Sequence, residues 1–341
     1  MARLTAISGL GRKSAAIFLL EHSGRRLLLD LGAALEAGER PDLSSAGRVD
    51  AVLLSHAHID HHGGLDRLDE LGNPPVFATA ETLRHLPPDL CPAAPHPLPL
   101  HGVTQVLGLP LQTGQAGHAP GGIWLHMPTE GGGFLYTGDF STEAQALPFD
   151  PFPKAATVLA DASYGDRDDA LTDQVGHIAE AARAGAVLPA PSAGRGPDMI
   201  EALEARGLKI HACAAIAAEM RALRGRSVPV VGAHDARPDQ VIVAAGSIAE
   251  SGLPAALLAR TEFRLIFSSH VPRSSPAHAA VSAGRARWMP WNVHPRRRDL
   301  LAMAEHCEAR QVIPAFTDLA KAPLLCRALG ARLIRETPVE V

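Results

Sequence analysis

Short apolar runs separated by turn residues dominate the first half of the chain. Two such runs, 15–20 and 26–31, flank the polar segment 21–25, and this pattern predicts a β-hairpin. Residues 63–71 are predicted to open a helix, whereas the proline-dense stretch 86–110 predicts loop or edge structure. Further short apolar runs predict strands over 49–54, 76–78, 123–127, 133–136 and 157–160.

Helical and extended patterns alternate from about Asp166 onward. Helices are predicted over 171–184, 197–205, 214–223 and 254–259. Strands are predicted between them at 187–188, 210, 241–245 and 264–267. Such alternation is typical of an α/β unit with a largely parallel sheet. The last part of the chain is predicted to form a helix over 297–307, a strand over 311–315, a helix ending near Gly330 and a last strand over 331–334.

Composition excludes some classes of protein. Apolar residues make up 46% of the 341 residues, enough for a sizeable core, which excludes a disordered tail protein. The net charge is −4 and only 4% of residues are aromatic, which disfavours a protein that coats nucleic acid by charge or stacks bases. The 17 histidines stand out, because His is the commonest metal ligand.

The cysteines predict a reducing compartment. Cys91, Cys213, Cys307 and Cys326 form no C-x-x-C pair, so neither a zinc ribbon nor a thioredoxin-type site is indicated. The chain shows no basic segment followed by a long apolar one at its start, and no stretch approaches the ~18 apolar residues of a membrane span. We therefore expect a cytoplasmic protein with no membrane partner.

A dense histidine cluster follows the apolar run 49–54. It contains His56-x-His58-x-Asp60-His61, so imidazoles and a carboxylate lie within a few residues of each other. A loop at the end of a strand can direct several such side chains to one point. Imidazole and carboxylate together are typical ligands for one or two divalent ions, most simply zinc. The alternative is a solvated histidine-rich loop.

This cluster, followed by Gly63-Gly64-Leu65, resembles the signature of the metallo-β-lactamase fold hydrolases. Three further segments resemble that family's motifs; they contain Asp30 in 27–32, His118 in 117–121 and Asp139 in 136–141. The resemblance implies a first metal site made of His56, His58, His118 and Asp139. It also implies a second site made of Asp60 and His61 with Asp139 bridging, while Asp30 would hold the metal loop in place.

The second half of the chain narrows the resemblance to the β-CASP branch, which contains ribonuclease J, a pre-mRNA 3′-end endonuclease and DNA-repair nucleases. Residues 161–167 resemble its acidic motif, 189–195 and 241–252 resemble stretches of its inserted cap, and 291–294 resemble its late histidine motif. The implied fold is α/β, a four-layer αββα sandwich with an inserted α/β cap. The expected boundaries are 1–164 and 290–341 for the sandwich and 165–289 for the cap.

One position departs from the family pattern. The family's last metal-binding His is expected about 22 residues after His294, where this chain has Phe316. A phenyl ring cannot ligate a metal, so the second site would lose one imidazole. Asp318 and His306 are the candidates to replace it.

The resemblance implies a zinc-dependent nuclease that cuts RNA or single-stranded DNA, with one or two zinc ions and manganese as the alternative. Asp60 would orient the attacking water or accept its proton, and His294, oriented by Asp161, would protonate the leaving oxygen. Ser192 and Arg195 are candidate phosphate-binding residues, and the arginines 296–298 could contact phosphate or form a solvated helix face.

Two other functions remain open from the sequence. The chain could be a degenerate member that binds nucleic acid or a partner without cutting it, or a hydrolase of a small ester, lactone or thioester. The choice between RNA and DNA, between endonuclease and exonuclease action, and the oligomeric state are also open.

Overall fold

The computed structural model describes residues 2–36, 38–191 and 193–341. They form two compact units. The first comprises the residues up to Thr142 together with Pro148–Asp168 and His294–Val341, and the second comprises Glu143–Leu147 and Asp169–Val293. None of the helices in these residues is both long and apolar enough to cross a membrane.

Both units contain β-strands. In chain order the strands of the described residues are β1 (Arg3–Ser8), β2 (Ile17–His22), β3 (Arg25–Leu29), β4 (Ala51–Leu53), β5 (Val76–Thr79), β6 (His96–Leu98), β7 (Gly102–Val106), β8 (Leu109–Gln115), β9 (Ile123–Met127), β10 (Phe134–Tyr136), β11 (Thr157–Asp161), β12 (Ala186–Ala190), β13 (Ile210–Ala212), β14 (Val241–Ala245), β15 (Leu265–Phe267), β16 (Ala286–Trp288), β17 (Gln311–Ala315) and β18 (Val339–Glu340).

The α-helices of both units are short. In chain order the α-helices of the described residues are α1 (Ile59–His62), α2 (Ala80–His85), α3 (Leu171–Ala182), α4 (Arg195–Glu204), α5 (Ala214–Arg224), α6 (Gly252–Leu258), α7 (Pro276–Ser282), α8 (Arg297–His306) and α9 (Pro323–Leu329). Short 3₁₀ segments lie at Leu65–Leu71, Leu319–Lys321 and Gly330–Arg332.

Two sheets form the first unit. Within the described residues one has the order β18-β1-β2-β3-β4-β5-β6 and the other β17-β11-β10-β9-β8-β7. Alternation along the strands explains their packing, since Phe18 and Leu20 of β2 lie in the core between the sheets, while Ile17 and Leu19 face the opposite side. Leu300 of α8 belongs to a further cluster that covers the outer face of the second sheet. The unit is therefore an αββα sandwich.

The sheet topology places several strand ends at one edge of each sheet. β3 and β4 are parallel neighbours in the first sheet, and β10, β11 and β17 are parallel neighbours in the second. The carboxyl ends of parallel strands lie at the same edge, which is where open α/β sheets generally bind ligands. Residues that follow these strands therefore converge.

The second unit is built on a parallel sheet with the order β13-β14-β12-β15-β16 among the described residues. Met199 of α4 and Ile216 of α5 pack on one face of it, and Leu257 of α6 and Ala277 of α7 pack on the other. This confirms the α/β unit with a parallel sheet predicted from the alternation of patterns. The mixed α/β fold class, a sandwich with an additional domain, follows from the two units together.

Most predicted elements are present, with shifts of a few residues at their ends. The hairpin forms as β2 and β3, with Ser23 and Gly24 at positive φ in its turn. Residues 63–71 do not form an α-helix, because a kink at Arg67 leaves only 3₁₀ structure over Leu65–Leu71. The predicted last strand over 331–334 is also wrong, since only Leu333 makes an isolated bridge, to Val312.

Gly32 allows the backbone at Asp60 to lie close to the backbone at Ala16, just before β2. A Cβ at Gly32 would lie 1.8 Å from the backbone oxygen of Asp60, and that oxygen accepts a 2.8 Å hydrogen bond from the Ala16 amide. Only glycine fits where two backbone segments are this close.

We predict that Gly32→Ala lowers the free energy of unfolding by at least about 2 kcal/mol, because backbone atoms must move to admit the methyl group. Urea unfolding followed by circular dichroism measures the change. Gly232→Ala is the matched control, since a Cβ there meets nothing within 4 Å. Equal stability of the two variants would contradict the prediction.

Candidate metal centre

The candidate site lies where the sandwich strands end. Apart from His294, the site candidates of the first unit lie at the end of a strand or in the segment that follows one. They are Asp30 after β3, His56, His58, Asp60 and His61 after β4, His118 after β8, Asp139 after β10, Asp161 at the end of β11 and Phe316 after β17. Distant parts of the chain thus meet because the sheets place their ends together.

Three imidazoles converge on one point. The Nδ1 atom of His58 lies 3.1 Å from Nε2 of His56 and 2.9 Å from Nε2 of His118. A tetrahedral zinc ion with bonds of about 2.0–2.1 Å would hold its ligand nitrogens about 3.4 Å apart, close to these separations. Asp139 adjoins the group, with Oδ2 at 3.7 Å from Nε2 of His118. This donor set fits one divalent ion.

The electrostatics of His56 suit a metal ligand. Burial lowers its pKa well below the ordinary value, and the neighbouring His61, His58 and His118 rings lower it further. The ring is therefore neutral near pH 7, and neutral imidazole is the form that binds metals.

Asp30 fixes the orientation of His61. Its carboxylate is fully buried and accepts hydrogen bonds from the Ser55 amide (2.6 Å), the Ser55 hydroxyl (2.7 Å), the Tyr136 hydroxyl (2.5 Å) and Nδ1 of His61 (2.7 Å). Nε2 of His61 consequently faces Asp139, at 3.3 Å from Oδ1. Both atoms are buried, and among the described residues neither makes a well-aligned hydrogen bond, so the imidazole and the carboxylate face each other as an ion pair.

A second carboxylate–imidazole pair lies beside this cluster. Oδ2 of Asp161 is 2.8 Å from Nδ1 of His294, and Oδ1 accepts hydrogen bonds from the Ser163 amide and hydroxyl. The His294 ring also lies 4.9 Å from the His118 ring, centroid to centroid, and meets the Tyr164 ring edge-on. The pair expected from the sequence is thus brought together next to the imidazole cluster.

Lys13, which the sequence analysis missed, extends into the centre from the loop between β1 and β2. Its Nζ lies 3.1 Å from Oδ2 of Asp60, 3.4 Å from Oδ2 of Asp139 and 3.5 Å from the Ser163 hydroxyl. Burial disfavours the charged amine, but the Asp139, Asp60 and Asp161 carboxylates outweigh it and raise the pKa of Lys13 above its ordinary value. The side chain is therefore an ammonium.

Phe316 occupies the position where the family has its last histidine. The ring is buried, contacts the His61 ring edge-on at 5.5 Å between centroids, and has Nζ of Lys13 at 4.8 Å from its centroid. Neither expected substitute is directed to this place. His306 hydrogen-bonds to the Phe152 carbonyl, and Asp318 accepts from the Ala320 amide.

The candidate phosphate contacts are engaged elsewhere. Arg296 pairs with Asp299, and both Arg297 and Arg298 pair with Asp168. The interpretation of this run as a set of phosphate contacts is therefore weakened, because each guanidinium already has a carboxylate.

The two other candidates are Arg195, the first residue of α4, and Ser192. In the second unit, Arg195 is buried and donates to the hydroxyls of Ser268 and Ser269. Ser192 lies outside the described residues. A phosphate-binding role for either residue stays a prediction.

Comparison with known proteins agrees with this geometry. A model of the metallo-beta-lactamase superfamily matches residues 10–177. Ribonuclease TTHA0252 of Thermus thermophilus is 37% identical over 175 residues, which cover 44% of this chain and 41% of that protein. Transcription termination factor FttA of Methanosarcina mazei is 28% identical over 249 residues, which cover 59% of this chain and 39% of that protein. The chain thus spans about two fifths of the length of these relatives.

The fold also has a solved counterpart. The crystal structure of a protein of unknown function from Enterococcus faecalis V583 matches with a TM-score of 0.67 and 14% identity, over 99% of both chains. The same architecture therefore occurs in a distant sequence. The match to residues 10–177 confirms the resemblance carried by the histidine motif, and this part of the chain is a domain of the metallo-beta-lactamase superfamily.

Proposed function

We propose that the chain is a metal-dependent nuclease that hydrolyses phosphodiester bonds of RNA, with zinc as its ion. The observation that carries the proposal is the convergence of three imidazoles and the Asp139 carboxylate beside the Asp161–His294 pair. A ribonuclease among the relatives supports RNA as the substrate. Nitrogen-rich donor sets favour zinc over manganese, which prefers oxygen ligands.

His56, His58, His118 and Asp139 would hold the ion. When bound, a divalent ion supplies Lewis-acid activation of a water molecule and of the phosphoryl oxygen. The side chains around it set the rest of the chemistry. Asp30 keeps the loop and the His61 ring in place, so the ligands need little rearrangement.

Asp60 is suited to orient the attacking water and to accept its proton. Burial raises its pKa, but the charges of Lys13 and His61 outweigh burial and lower the pKa below the ordinary value. The carboxylate is therefore ionised near pH 7, and an ionised carboxylate only accepts hydrogen bonds.

His294 is suited to protonate the leaving oxygen. Because Nδ1 faces the Asp161 carboxylate, Nε2 is the atom that can deliver a proton. Asp161 fixes the orientation of the ring. An alkoxide is a poor leaving group, so this proton transfer matters most for natural phosphodiesters.

The second unit would act as the cap of a β-CASP-type nuclease. Its parallel sheet and its insertion between the two parts of the sandwich sequence support the expected boundaries of 1–164, 165–289 and 290–341. A cap of this kind would contribute to holding a single strand.

We predict that the zinc-loaded protein cleaves 5′-labelled single-stranded RNA and that His58→Ala and Asp60→Asn each lower the rate by about 10²–10⁴-fold. The first change removes an imidazole from the metal donors, and the second removes the proton acceptor. His101→Ala is the matched control, because that side chain is 74% exposed. Activity no higher than that of Asp60→Asn on either RNA or single-stranded DNA would refute the proposed nuclease and favour a binding protein that does not cut.

We predict that His294→Ala lowers the rate on RNA by about 10²–10⁴-fold with unchanged metal content, since a proton donor is lost and no ligand is removed. The same variant should stay within about threefold of the wild type on bis(p-nitrophenyl) phosphate, because nitrophenolate leaves without protonation. Steady-state rates and elemental analysis make the comparison. Equal losses on both substrates would indicate that His294 acts by another route.

A further inference from the structure

The Lys13 ammonium lies among the donors of the expected second metal site. Its Nζ lies 3.1 Å from Oδ2 of Asp60 and 3.4 Å from Oδ2 of Asp139, the two carboxylates of that expected site. Lys13 comes from a different loop from every ligand, so its position reflects the tertiary fold. Its side chain is 26% exposed, whereas the two carboxylates are 9% and 2% exposed.

The donor set at that place is also incomplete. Asp60, His61 and Asp139 are present, but Phe316 stands where the remaining imidazole would be. Its ring offers no lone pair and instead places an aromatic face 4.8 Å from the Lys13 nitrogen. An aromatic face attracts an ammonium ion, so Phe316 favours Lys13 where a histidine would favour a metal.

A divalent ion held by the Asp60 and Asp139 carboxylates would lie next to this ammonium. Zinc would lie about 2.0–2.2 Å from its carboxylate ligands, which places it within a few ångströms of Nζ. The two cations would then repel each other in a largely buried setting, where like charges interact strongly. The donors of the second site therefore do not fit a metal ion while Lys13 is in place.

We propose that the centre binds a single divalent ion and that the Lys13 ammonium takes the place of the second one. The inference rests on the proposed metal centre of His56, His58, His118 and Asp139. In this arrangement Lys13 balances the charge of Asp60 and Asp139 and donates hydrogen bonds to Asp139 and to the Ser163 hydroxyl. Lys13 is thus a positioning residue for the Asp60 carboxylate.

Metal stoichiometry of the purified full chain tests the inference directly. The protein is saturated with zinc, passed through a desalting column and analysed by inductively coupled plasma mass spectrometry. We expect one zinc per chain. Two zinc ions per chain would overturn the inference and leave the proposed nuclease intact, whereas a content near zero would overturn both. Titration with cobalt(II), read by its visible absorption, should saturate at one equivalent.

Two double variants test whether Lys13 is what excludes the second zinc ion. Lys13→Met combined with Phe316→His removes the ammonium and restores the imidazole, so we expect two zinc ions per chain. Phe316→His alone should still bind one, because Lys13 remains. The matched control combines Phe316→His with Lys154→Met, an exposed lysine that pairs with Glu308, and should also bind one.

In each variant, retention of the first zinc ion shows that the protein is folded. A Lys13→Met/Phe316→His protein that retains one zinc and gains no second would overturn the role given to Lys13. Two zinc ions in Phe316→His alone would overturn it as well, since the ammonium would then not exclude the metal. If the double variant fails to fold, the wild-type count still decides the stoichiometry.

Discussion

Burial of negative charge is the constraint around which this site is organised. Asp30, Asp60, Asp139 and Asp161 are all less than 10% exposed and lie close to one another. An ionised carboxylate in a protein interior is strongly unfavourable unless it is paired and hydrogen-bonded. The positions of the surrounding histidines, hydroxyls and lysine follow from the need to balance these four charges.

The negative charges of the four carboxylates are stabilised in two different ways, and the two pairs of residues accordingly have different roles. Asp30 and Asp161 have their oxygens engaged by fixed donors: Ser55, Tyr136 and His61 for Asp30, and Ser163 and His294 for Asp161. Such carboxylates hold other groups in place. Asp60 and Asp139 instead face Lys13 and His61, and Asp139 also faces the imidazole cluster, so they remain available to an ion and to water.

Local sequence patterns predicted those features that depend on residues close together in the chain. Two apolar runs on either side of a polar turn identified the β2–β3 hairpin. The motif after β4 identified histidines that do converge, because a strand end places them together. The pairing of Asp161 with His294 also emerged, although only through resemblance. The missing imidazole at Phe316 was found by counting residues along the same motifs.

Interactions between distant segments were the part that the sequence could not supply. Lys13 belongs to no motif, and its contact with Asp139 spans 126 residues, so its role depends on how the two sheets pack. The arginines 296–298 looked available for phosphate, but Arg297 and Arg298 pair with the distant Asp168, which depends on how α8 packs. The kink at Arg67 and the failure of 331–334 to form a strand likewise reflect tertiary packing.

The loss of a ligand at Phe316 and the presence of Lys13 have a common structural basis. Phe316 adopts a left-handed conformation, with φ of 64°, and its amide donates a 2.7 Å hydrogen bond to the Gly9 carbonyl. That bond anchors the beginning of the loop that carries Lys13. Gly9 in turn has positive φ, and a Cβ there would lie 2.5 Å from the Phe18 ring, so this position requires glycine. The residue that cannot bind a metal therefore positions, through its backbone, the lysine that supplies a cation, and through its ring it stabilises that cation.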